Sequence, residues 1–179
     1  MEENATAPEV TTRSAGTRYG VIMAVISIAM LLGMTLTGMN MSSGIGRWLG
    51  IPVFLIVLFL AQKYFLDNGD GFMSYGQGMG ITWWLSLVSL IIYCVFFYVY
   101  IKFIDASFIE QVKQAQIDGM AEKGMSDEQI DQAMSFSASF MTPEMMAAFG
   151  FLGGLFFNML CGVILTIFNG VLGIWPMVA

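Results

Sequence analysis

The sequence contains no histidine, only two cysteines and only four prolines in 179 residues. The missing histidine excludes imidazole acid–base chemistry, His-ligated haem and the usual zinc sites together. Cys94 and Cys161 lie in separate apolar runs and form no C-x-x-C pair, so they read as small hydrophobes. Charge is scarce as well: Asp, Glu, Lys and Arg make up 11 % of residues, with a net charge of −6. That balance argues against nucleic acid, whose phosphates call for Lys and Arg gathered on one face. No catalytic residue, metal site or cofactor is expected.

What is abundant is apolar surface. Hydrophobic residues are 57 % of the chain, too many for an ordinary soluble domain of this length. They fall into four runs long enough to cross a bilayer, at about 19–37, 50–66, 79–104 and 144–173. The expected fold is all-α: an integral membrane protein of four transmembrane helices, one domain over 18–179, with an extramembrane helical hairpin at 105–142. Residues 1–17 are polar and read as a disordered tail.

The last run carries the clearest pattern. Every fourth residue from Gly150 is small or polar: Gly150, Gly154, Asn158, Gly162, Thr166 and Gly170. Membrane helices associate through close backbone approach at small residues and through side-chain hydrogen bonds, so this stripe reads as a helix-packing interface. Half of it would serve the internal bundle and half a partner. Asn158 is expected to make an interhelical hydrogen bond. Shorter stripes occur at Ala29, Gly33 and Thr37, and at Gly78, Thr82 and Ser86.

Connections and ends follow local chemistry. Pro52 is expected in the first turn of the second helix, where its missing N–H costs nothing. Asp67-Asn68-Gly69-Asp70-Gly71 lacks the ligand spacing of a calcium loop and reads as a tight turn. In the polar segment, Gly124 suits a helix C-terminus, and Ser126 with Gln129 forms a capping box. Thr142-Pro143-Glu144 then restarts a helix with a cap, a proline and an acid in the first turn. Arg13 and Arg18 before the first span favour a cytoplasmic N-terminus.

Four stretches resemble a family of small bacterial inner-membrane proteins of unknown function with four helices: Tyr75-Gly76-Gln77-Gly78, the run from Tyr98 to Asp105, the turn from Gly124 to Ile130, and Met141-Thr142-Pro143. Where that family commonly has proline after the aspartate, this chain has Ala106, which lets the third span run on into the hairpin. The resemblance implies a bacterial inner-membrane location and no known activity. It also offers a neighbouring membrane glycosyltransferase as a candidate partner.

The span cores contain no Asp, Glu, Lys, Arg or His and no serine beside a base, which counts against ion pathways and intramembrane hydrolysis. The methionines lack Cys or His support for copper and read as gap-fillers. The expected function is a non-catalytic accessory or structural subunit of a membrane assembly. Its partners would be lipids, other membrane subunits or a second copy. The alternative is a small transporter or channel component working as an oligomer.

Overall fold

The computed structural model describes residues 10–37, 44–105 and 107–171, and all regular structure among them is helical. The helices are α1 (Thr12–Thr37), α2 (Gly44–Asp67), α3 (Tyr75–Val99), α4 (Phe108–Ala121), α5 (Asp127–Ala138) and α6 (Pro143–Val171). Four of them, over Thr12–Thr37, Trp48–Asp67, Tyr75–Ile104 and Pro143–Gly170, are long and apolar enough to cross a membrane. The tail residues 1–9, the first connection at 38–43, Ala106 and the Trp175-Pro176 end lie outside the described residues.

The spans are turned inside out relative to a soluble bundle. Val25, Val95, Phe156 and Ile164 are each at least 60 % exposed, whereas Gln62, Thr82, Thr166 and Asn169 are buried. Water would penalise that arrangement on both counts. Lipid accepts the apolar surface, while the buried polar groups find partners inside.

Helix α1 begins at Thr12, so residues 12–17 are helical and are not part of a tail. The reason is a reciprocal cap: Ser14 N–H donates to Thr11 Oγ1, and Thr11 N–H donates to Ser14 Oγ, both at 3.1 Å. Helix α2 starts at Gly44, ahead of the expected boundary, and Pro52 therefore sits inside it rather than in its first turn. There proline removes the N–H that would bond the Trp48 carbonyl. The α2–α3 turn uses Gly71 at φ +81°, with Asp70 Oδ1 accepting from Phe72 N–H. Ser74 and Gln77 then form a capping box that starts α3.

Helix α3 is the centre of the bundle, packed by α1 on one side and α6 on another, while α2 rests mainly on α1. Phe54, Val57, Leu58, Ala61 and Phe65 of α2 join Met23, Ile81 and Leu85 in the main core. At its far end α3 widens into a π-helical turn, Tyr100–Ile104, closed by Asp105 N–H donating to Tyr100 O at 2.9 Å. The third span does not run on. Asp105 leaves helical geometry at φ −133° and ψ 80°. Its Oδ1 accepts from both the N–H and the hydroxyl of Ser107. A carboxylate that captures the backbone N–H two residues on competes with continued helix, so the break needs no proline.

Beyond the break, Phe97 meets Phe108 edge to face at 5.4 Å, tying α4 to α3. Helices α4 and α5 touch each other and are joined through Gly124, whose φ of +75° favours glycine. Ser126 Oγ accepts from Gln129 N–H, and Gln129 Oε1 accepts from Ser126 N–H. Thr142 Oγ1 accepts from Met145 N–H at the start of α6, with Pro143 as its first residue.

Candidate functional site

Three glycine contacts define how α6 lies on α3. A methyl group added at Gly162 would overlap Thr82 Cγ2. One at Gly78 would come within 2.6 Å of Thr166 Cγ2, and one at Gly154 within 2.9 Å of Leu90 Cδ2. The pairs Gly78–Thr166, Thr82–Gly162 and Leu90–Gly154 step in opposite directions along the two helices, so α3 and α6 are antiparallel. Each small residue of one helix receives a larger side chain of the other. The same register puts Ser86 level with Asn158.

The stripe on α6 is not a single face. Four residues advance a helix by about 40° beyond a full turn, so five such steps wind through about 200°. Gly150 therefore starts on the outside, exposed, with nothing within 4 Å of an added Cβ. Gly154 is half-buried, Gly162 and Thr166 are buried against α3, and Gly170 is half-buried. Gly153, outside the every-fourth series, is also exposed with nothing near it. Ala29 and Gly33 likewise face outward, with open space beside Gly33. Thr37 is exposed and donates its hydroxyl to the Gly33 carbonyl at 2.8 Å.

Helix α1 approaches α3 elsewhere, through Gly16 and Gly20. A Cβ on Gly16 would sit 2.8 Å from the Ile81 carbonyl oxygen, and one on Gly20 would sit 2.9 Å from the Leu85 carbonyl oxygen. These are backbone contacts, and they run parallel along the two helices. Neither glycine belongs to the stripes read from the sequence: Gly16 falls in the expected tail and Gly20 at the very start of the first apolar run. With Ala24 they form a row at spacing four, which was the available signal.

The polar core is a chain of three side chains. Gln62 Nε2 donates to Thr166 Oγ1 at 3.0 Å, and Asn169 Nδ2 donates to Gln62 Oε1 at 3.1 Å. All three residues are at most 1 % exposed. Thr82 adds a bond from its hydroxyl to the Gly78 carbonyl at 2.9 Å. Gln62 was not expected to matter, although a lone amide beside a long apolar run was the sign.

Among the described residues, Asn158 does not make the expected interhelical bond. It lines a cavity of about 330 Å³ instead, with Ser27, Ser89 and Tyr93 as the other polar groups. Apolar walls come from Met23, Met30, Met34, Phe54, Leu90 and Phe157. Ser89 donates its hydroxyl to the Ser86 carbonyl, while the buried Ser86 hydroxyl has no hydrogen-bond partner among the described residues.

At the opposite end of the α3–α6 seam, Lys102 donates to Tyr98 Oη at 2.6 Å, and Tyr98 donates to Glu144 Oε1 at 3.3 Å. Lys102 also lies 3.8 Å from Glu144. At the N-terminal end of α1, Arg13 lies 4.9 Å over Trp84 and Arg18 lies 4.7 Å over Tyr64. Amphipathic rings and basic groups of this kind mark bilayer interfaces. Cys94 and Cys161 are free thiols. The acids Asp127, Glu128 and Asp131 are exposed on α5.

No curated protein and no solved structure matches the chain. One family description does match, over residues 18–170: protein of unknown function, DUF4199. Since that covers most of the first span, the other three spans and both intervening helices, the chain is a member of the DUF4199 family, a multi-pass membrane protein built as a helical bundle.

Proposed function

We propose that this protein is a non-catalytic accessory subunit of a membrane assembly, held to its partner by the outward face of α6. One observation carries the reading. Gly150 and Gly153 stand on the exposed side of α6 with open space beside them, among exposed Phe149, Phe156 and Phe157. A helix that met only acyl chains would have no use for two glycines there, because each costs about 1 kcal/mol of helix propensity against alanine. A second helix does use them, since missing side chains let backbones approach. Gly150 also lines an apolar groove of about 440 Å³ between α3, α6 and the α4–α5 pair, with Leu90, Phe97, Phe140 and Phe149 among its walls.

In this reading the α4–α5 pair lies outside the bilayer as an acidic second contact. The membrane is the bacterial inner membrane, with the N-terminus in the cytoplasm. The partner is another membrane subunit, with a neighbouring glycosyltransferase among the candidates, or a second copy of the chain. The test is a Gly150→Leu, Gly153→Leu double variant of the full chain, purified from its native membrane under mild conditions. The complex should be lost while the monomer keeps its thermal stability. An unchanged complex overturns the proposal.

A second reading, a small transporter or channel component working as an oligomer, is favoured by the polar side of the intramembrane cavity. Solute flux into liposomes containing only this protein would support it, and tight liposomes would count against it.

A further inference from the structure

The cavity beside Asn158 lies at an unusual depth for polar groups. The third span, Tyr75–Ile104, has Ser89 and Leu90 as its two central residues. The fourth, Pro143–Gly170, is centred between Phe156 and Phe157, which places Asn158 within about 3 Å of the middle at 1.5 Å per residue. Ser27 and Tyr93 lie about one helical turn or less from the centres of their own spans. Among the described residues, Ser27, Tyr93 and Asn158 form no hydrogen bond with other protein groups, and the nearby Ser86 hydroxyl is also unpaired. Elsewhere in the bundle the buried amides are paired, as Gln62 and Asn169 show. Unpaired polar groups in hydrocarbon are expensive, and here Ser27, Tyr93 and Asn158 line one cavity.

We infer that this cavity binds a membrane-dissolved quinone by its ring. The depth excludes a charged headgroup, since the lining includes no Asp, Glu, Lys, Arg or His and the bilayer centre penalises charge heavily. The ligand must be uncharged yet able to hydrogen-bond to more than one group. A quinone offers two carbonyl acceptors on a flat apolar ring. Ser27, Tyr93 and Asn158 can each supply a donor. Phe54 and Phe157 provide flat apolar walls, and Met23, Met30 and Met34 can adapt to ring substituents. The volume of about 330 Å³ falls at the lower end of the range of about 300–1,000 Å³ for small-molecule sites. Gly50 and Met34 line the end of the cavity away from the centre, and Gly50 is exposed, so the isoprenoid tail leaves there into lipid. Binding alone is proposed, with no electron transfer.

The test uses the full chain in phosphatidylcholine nanodiscs, labelled with a photoreactive azidoubiquinone and mapped by peptide mass spectrometry. Labelling should be saturable and fall on α2 or α6 around Phe54 and Phe157. Decylubiquinone should compete with it. Dioctanoylglycerol and dodecanol should compete at least about tenfold more weakly. Loss of one donor should raise the decylubiquinone concentration needed for competition by about tenfold in Asn158→Leu, and by about threefold or more in Tyr93→Phe. The second variant keeps the ring, so it decides the matter if the first does not fold. Non-saturable labelling, equal competition by the alcohol or the diglyceride, or unchanged competition in Tyr93→Phe would overturn the assignment.

Discussion

The two halves of α6 have similar composition and opposite fates. From Gly162 to Asn169 its small and polar residues are buried against α3 and α2. From Phe149 to Gly153 its glycines stand open. Composition alone cannot separate these halves, because what differs is angular position. A row at spacing four winds round the helix, so it can serve the bundle at one end and face outward at the other. The same residue type therefore means close packing in one half and an exposed seam in the other.

The comparison can be broken most forcefully at the packed end. Gly162→Leu should prevent normal folding or sharply lower thermal stability in detergent, whereas Gly153→Leu should leave it nearly unchanged. Equal effects would mean that the halves are not distinct. Next comes Gln62→Leu, which leaves Thr166 and Asn169 without their shared partner. A loss of about 1–3 kcal/mol is expected from the stranded polar groups, read as a drop in the unfolding midpoint.

A subtler change sharpens the register. Gly162→Ala should cost about 1–3 kcal/mol through overpacking against Thr82. Adding Thr82→Ala removes the two nearest atoms and should recover part of that loss, with a coupling of about 0.5–3 kcal/mol in a double-mutant cycle. Strict additivity would disprove the Thr82–Gly162 contact. The smallest effect belongs to Gly150→Ala and Gly153→Ala. Stability of the isolated chain should hold steady or rise by up to about 1 kcal/mol per site from better helix propensity.

Much of the architecture is legible in the residues alone. Four long apolar runs leave few alternatives to four spans, and Ser126, Gln129, Thr142 and Pro143 mark helix starts through local hydrogen bonding. What the residues alone did not reveal depends on which neighbour a helix meets. Gly16 and Gly20 matter because Ile81 and Leu85 carbonyls lie against them, which periodicity within α1 cannot disclose. Ala29 and Gly33 have the same spacing and face outward. Asn158 and Asn169 belong to one helix, yet only Asn169 reaches Gln62. Asp105 shows a different limit: its capture of Ser107 ends the span where the lack of proline suggested continuity.

The account turns on whether another protein helix covers the outer half of α6. A photo-crosslinking amino acid at Phe156, 68 % exposed on that face, tests this directly in native membranes, with Val25 on α1, 60 % exposed, as the comparison site. A discrete protein adduct at 156 but not at 25, abolished by Gly150→Leu with Gly153→Leu, is the expected result. Lipid adducts alone at both positions would contradict it.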